Sequence, residues 1–158
     1  MLLIISGIHN SGKTSSLCKF LEVISDEYIY LNDQRPRVES HKYKDCVCLL
    51  KNKVEEKYLV VITSGDAERY VSRFYNDASR LLREHGLSGD EDNVFFVVAS
   101  RSTGATIDFY LRKFGYTKCF SLLKPRSVSE SENDSDNNYF ALMIKKCTSL
   151  FEKGGKRK

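Results

Sequence analysis

No apolar run in this sequence approaches the roughly 20 residues a helix needs to cross a bilayer. Met1-Leu2-Leu3-Ile4-Ile5 leads almost directly to a glycine, without a charged leader. Neither a membrane span nor a secretory signal is expected, and the expected location is cytoplasmic. Histidine is scarce, and the five cysteines are odd in number and scattered. Cys46 and Cys48 stand two apart in a strand-like segment and so share a face. A zinc site needs more ligands than that pair, and His9, His41 and His85 have no spacing that completes it. Free thiols in a reducing compartment are the simpler reading. Internal repeats are absent. Excess positive charge is also missing from the body of the chain. Lys153, Lys156, Arg157 and Lys158 account for the whole net charge of +4, so residues 1–152 are neutral. That balance argues against a nucleic-acid-binding face.

What remains is a chain of 158 residues, 41% hydrophobic, the size of one domain with its own core. Residues 2–6 and 94–99 are unbroken apolar runs, the pattern of strands buried on both faces of a parallel sheet. Leu17, Phe20, Leu21 and Ile24 recur at helical spacing, and so do Tyr70, Val71, Phe74, Ala78, Leu81 and Leu82 before Gly86. Ile107, Leu111 and Phe114 predict a helix closing at Gly115; Phe140, Met143, Ile144, Cys147 and Phe151 predict the last one. Segments 28–31 and 116–123 read as strands, and 46–50 with 58–63 as a hairpin. Residues 32–43 read as a polar connection. Residues 127–138 read as a mobile loop or surface excursion, with a flap over the site as the alternative, and 153–158 as a disordered tail. The alternation predicts an α/β three-layer sandwich with a mainly parallel sheet over residues 1–152, its ligands at the carboxyl ends of the strands.

Between the first strand and the first helix stands Gly7-Ile8-His9-Asn10-Ser11-Gly12-Lys13-Thr14, a full match to G-x-x-x-x-G-K-[ST]. Gly7 and Gly12 permit backbone angles that turn successive N–H groups inward around an anion. Lys13 offers charge to β- and γ-phosphates, Thr14 offers a hydroxyl to Mg²⁺, and the helix adds its positive end. His9, Asn10, Ser11 and Ser15 complete the expected nucleotide contacts. The plainer alternative is a glycine-rich turn before a helix that carries a surface lysine. Over residues 2–24 the chain resembles the P-loop NTPase superfamily. That resemblance implies a parallel sheet flanked by helices, binding of Mg²⁺ and nucleotide, and hydrolysis or phosphoryl transfer.

Members of that superfamily usually carry an acidic residue at the end of an apolar strand, where it serves the metal. Here the run 58–62 continues as Thr63-Ser64-Gly65-Asp66, so the carboxylate arrives three residues late. Asp66 either binds Mg²⁺ through a water or, like Ser64, caps the next helix. The strand 58–63 is expected beside the strand 2–6. The run 94–99 ends in Ser100-Arg101 without a carboxylate. The hydroxyls, Gly104 and Arg101 of 100–106 suit a phosphate or sugar, or form a helix start capped by Thr103. In Asn32-Asp33-Gln34-Arg35-Pro36-Arg37, a position where kinases of similar fold often bind substrate, Asp33 would accept a hydroxyl proton, unless the turn is merely solvated. Lys13, Asp33, Asp66 and Arg101 are therefore the candidate catalytic residues, and Thr14 and Asp66 the candidate metal ligands. The Asp-x-x-Gly and Asn-Lys-x-Asp motifs of GTPases are absent, which favours ATP over GTP. The expectation is a Mg²⁺-dependent ATP-binding protein that hydrolyses ATP or passes its γ-phosphate to a small-molecule acceptor. The alternative is a nucleotide-gated interaction module with slow or no turnover.

Overall fold

The computed structural model describes residues 1–127 and 130–154, the side chains of 130–132, 151 and 152 apart. In chain order its elements are β1 (Leu2–Ser6), α1 (Lys13–Val23), β2 (Tyr28–Tyr30), β3 (Val38–Glu39), β4 (Lys42–Tyr43), β5 (Val47–Asn52), β6 (Tyr58–Ile62), α2 (Glu68–Glu84), β7 (Val94–Ser100), α3 (Ala105–Phe114), β8 (Cys119–Leu123) and α4 (Glu130–Gly154). The architecture is α/β. Six strands form one sheet in the order β2-β5-β6-β7-β1-β8, and β3 with β4 makes a separate small hairpin. β6, β7, β1 and β8 run parallel, while β5 is antiparallel to both of its neighbours.

The apolar runs explain the centre of the sheet. Every residue of β1, β6 and β7 is buried, because alternate side chains meet helices on opposite faces. Leu3 and Ile5 join Leu17, Phe20 and Leu21 of α1 and Phe140 and Ile144 of α4 on one face. Leu2 and Ile4 join Val71, Ala78 and Leu82 of α2 and Phe109 and Tyr110 of α3 on the other. Each large side chain so enclosed contributes roughly 1.5–3 kcal/mol.

Several sequence expectations are corrected. β6 does not lie beside β1: β7 sits between them, paired with both. The connection 32–43 contains the β3–β4 hairpin. Most of the segment read as a loop, 127–138, is helical, since α4 starts at Glu130. Its acidic residues suit a helix N-terminus. Its polar side chains also find partners, Asp134 on Lys19 at 2.9 Å and Asn137 on Ser16 at 3.1 Å. α4 also runs through Lys153 and Gly154, where the tail was expected to begin; residues 155–158 and the Phe151 side chain lie outside the described residues. Neither Asp66 nor Ser64 caps α2. Ala67 occupies that position, without a side-chain bond. Thr103 does not cap α3 either: Gly104 precedes it, and Thr106 ties the turn by accepting from Ser100 Oγ and the Arg101 N–H.

Candidate functional site

The strand directions place one set of loops together. The segments after β1, β2, β6, β7 and β8 and the start of β5 all open on the same edge of the sheet. The glycine loop 7–14 follows β1 there. Its base is buried at Gly7 and Ser11 and its tip, Ile8 to Asn10, is exposed. The Gly7 N–H donates to the Ser100 carbonyl at 3.2 Å, which moors the loop to the end of β7. A Cβ on Gly7 would stand 2.5 Å from Ser11 Oγ and 2.8 Å from the Lys124 carbonyl, so no other residue fits. Gly12, at φ +86°, turns the chain into α1 through the left-handed region. Asn10 is left-handed too, at φ +57°.

α1 then begins without a side-chain cap. The first backbone bond of this turn runs from Ser16 N to the Gly12 carbonyl, so the N–H groups of Lys13, Thr14 and Ser15 have no backbone partner among the described residues. Ser11 Oγ is also buried without a partner. Unbonded donors at the positive end of a helix are suited to an anion.

Lys13 is not a surface lysine: it is 4% exposed. Its Nζ folds over the loop and donates to the carbonyls of Gly7 at 3.2 Å and Ile8 at 2.8 Å. Asp66 Oδ1 lies 3.2 Å from the same nitrogen, and Asp66 Oδ2 lies 3.1 Å from His9 Nδ1. The late arrival of this carboxylate has a geometric reason. β7 separates β6 from β1; directly after β6, Thr63 meets the loop at Thr14 through its carbonyl while its side chain is turned to Cys46, so the carboxylate at Lys13 comes from further along the chain. Ser64 and Gly65 carry the chain across the end of β7. Gly65 passes so close to the Ala99–Ser100 backbone that a Cβ there would stand 2.4 Å from the Ala99 carbonyl carbon.

Thr14 reaches the opposite way. Its hydroxyl is shared between the Thr63 carbonyl at 3.0 Å and Asp45 Oδ1 at 3.2 Å. Asp45 has no place in the sequence reading. It lies just before β5, a strand antiparallel to the rest, where a search along the ends of parallel strands does not look. Although Asp45 keeps solvent contact, burial of its carboxyl raises its pKa, and the Asp66 charge adds to this, against hydrogen bonds from Thr14 and Ser64. Thr63, fully buried, anchors the start of β5 by accepting from Cys46 N at 2.8 Å. Below it Cys46 and Cys48 share a face as expected, their sulfurs 3.8 Å apart. Cys48 donates to the Cys46 sulfur; the contacts with Cys18 and Cys48 lower the Cys46 pKa against its burial, and the same contacts together with burial raise those of Cys18 and Cys48. Among the described residues no group of three His, Cys, Asp or Glu side chains is placed to hold a metal by itself.

Lys13, Thr14, His9 and Asp66 are thus brought together. Asp33 and Arg101 are exposed, and neither forms a hydrogen bond or ion pair with those four among the described residues. In the Asp33 turn the neighbours carry the structure: Asn32 exchanges bonds with Val47 and Leu49, and Gln34 accepts from Val47 N. A cleft of about 490 Å³ beside Asp26, Asn52 and Lys53 opens at the opposite edge and includes none of these residues. No helix among the described residues is long and apolar enough to cross a membrane. Comparison with protein-family models, curated proteins and solved structures finds no match for this chain.

Proposed function

We propose that the loop 7–14 binds the phosphates of ATP with Mg²⁺, and that the protein hydrolyses ATP or transfers its γ-phosphate to a small acceptor. The observation that carries this reading is the convergence at one sheet edge of a glycine loop, an uncapped helix start and a buried lysine. Unsatisfied donors fit the group: the N–H groups of residues 13–15 and the orphaned Ser11 hydroxyl would bond phosphate oxygens. Gly7 lies too close to Ser11 and the Lys124 carbonyl to carry a side chain, and Gly12 leaves room for Asn137 of α4. Lys13 would balance the β- and γ-phosphate charge, with His9, Asn10 and Ser15 around the loop. Bound Mg²⁺ would draw charge from the transferred phosphoryl group, held by Thr14 and a carboxylate of this edge. Asp33 and Arg101 are exposed on the same edge of the sheet. Acceleration would come from positioning and charge neutralisation.

A second reading has its own support. Arg101 directly follows β7 and Thr63 directly follows β6, so neither strand is followed at once by a glutamate to activate a water. A nucleotide-gated interaction module would need none. Incubation with ATP labelled in its γ-phosphate, alone and with a metabolite panel, separates the cases. Labelled inorganic phosphate or a labelled acceptor supports the enzyme, and ATP binding without release of label supports the module. A folded protein that binds no ATP contradicts both.

A further inference from the structure

We infer that the two carboxylates flanking the loop divide the work: Asp45 is the partner of Thr14 in holding the divalent cation, and Asp66 is a resident counter-anion of Lys13 that the triphosphate displaces. The inference rests on the nucleotide reading above and sharpens it, since the sequence alone assigns the metal to Asp66.

The Thr14 hydroxyl oxygen and Asp45 Oδ1 are 3.2 Å apart. Two adjacent ligands of an octahedral Mg²⁺ at 2.0–2.1 Å stand about 2.9 Å apart, so a small approach brings this pair into that relation. Both are hard oxygen donors. No cluster of three His, Cys, Asp or Glu side chains is found among the described residues, so the rest of the shell would be water and phosphate oxygen, as Mg²⁺ prefers.

Asp66 is differently engaged. One oxygen faces Lys13 and the other His9, both groups of the loop itself, and Thr14 is not among its partners. Lys13 has three ammonium hydrogens. Two are spent on the carbonyls of Gly7 and Ile8, and Asp66 Oδ1 lies 3.2 Å from the nitrogen as an ion pair without hydrogen-bond geometry. A phosphate oxygen that takes Lys13 would use the third hydrogen and stand within a few ångströms of Asp66. Like charges a few ångströms apart oppose each other strongly, so phosphate and Asp66 compete for one cation. Asp66 is the partner free to leave: its side chain is 44% exposed and Lys13 only 4%.

The test is calorimetric titration of ATP, with Mg²⁺ and with a chelator, into wild type, Asp66→Asn and Asp45→Asn. Mn²⁺ paramagnetic resonance of each protein with ATP provides a readout independent of turnover. Asp66→Asn should tighten metal-free ATP binding about tenfold, or about 1.4 kcal/mol, and keep the gain that Mg²⁺ brings. Asp45→Asn should lose most of that gain and the signal of protein-bound Mn²⁺. Asp45→Ser serves if the asparagine variant does not fold. Metal-free affinity unchanged or weaker in Asp66→Asn overturns the inference. So does a Mg²⁺ gain lost in Asp66→Asn and kept in Asp45→Asn. In both results wild type binds ATP, which sets them apart from failure of the nucleotide reading, where folded wild type binds none.

Discussion

Gly12→Ala is the substitution that the loop geometry opposes most directly. Gly12 sits at φ +86°, and its Cβ would stand 2.5 Å from Asn137 Oδ1 on α4. Left-handed backbone costs an L-residue about 1–2 kcal/mol by itself. Asn137 cannot swing aside freely: it is 3% exposed, its Oδ1 accepts from Ser16 at 3.1 Å and its Nδ2 donates to Asn133 at 3.3 Å. Forcing atoms into a packed site of this kind typically costs about 1–3 kcal/mol more. At about 2–4 °C per kcal/mol for a chain of this size, the melting temperature should fall by on the order of 10 °C. Scanning calorimetry of wild type, Gly12→Ala, Asn137→Ala and the double variant separates the two contributions. Asn137→Ala removes the colliding oxygen but not the backbone strain. In that background Gly12→Ala should cost only about 1–2 kcal/mol, the backbone share. A Gly12→Ala protein with wild-type stability, or costs that simply add, would refute the docking of α4 against the loop.

Two further outcomes are expected. In direct competition ATP should bind at least as well as GTP, since no Asn-Lys-x-Asp segment is present to read guanine; a marked preference for GTP contradicts this. Lys124, 2% exposed with its Nζ 5.6 Å from the Phe140 ring centre, has its pKa lowered by burial, which Asp136 partly offsets. Between that lowered pKa and the ordinary value of 10.5 the unfolded chain binds more protons than the folded one, so the Lys124 contribution to stability rises with pH across this window. Denaturant midpoints followed from neutral pH to 10.5 should therefore climb more for wild type than for Lys124→Met; parallel curves would show that Lys124 is not the source.

Local patterns in the sequence carried much of the architecture. Unbroken apolar runs announced β1 and β7, and 3.6-residue spacing announced α1, α2 and α3, because burial on known faces leaves a periodic trace. Strand order leaves no such trace. Nothing in residues 58–63 says that β7 will insert between β6 and β1, or that Gly65 will pass over the end of β7 to bring Asp66 to Lys13. The first turns of α4 were illegible for another reason. Their composition is that of a solvated segment, and their order depends on tertiary partners: Lys19 for Asp134, and Ser16 and the bare Gly12 for Asn137.

The turn between β1 and α1 was legible at its two glycines, which sit where a Cβ would collide; the phosphate and metal tasks of Lys13 and Thr14 belong to the proposal. Asp45 was not legible. It precedes a strand rather than ending one, and only the antiparallel course of β5 brings it to Thr14. A polar residue before an antiparallel strand that pairs with a parallel one lies at the same sheet edge as the parallel strands' ends. That topological signal becomes readable once the 46–50 and 58–63 hairpin is recognised.

The claim on which the account depends is that Lys13 and its loop hold a nucleoside triphosphate. Titrating ATP with Mg²⁺ into wild type and Lys13→Ala by calorimetry, with circular dichroism to confirm that both are folded, tests it most directly. Removing a charged donor from a phosphate typically costs about 1.5–3 kcal/mol, so the variant should bind roughly 10- to 100-fold more weakly than wild type. Equal affinity in the two folded proteins, or no binding by wild type, would contradict it.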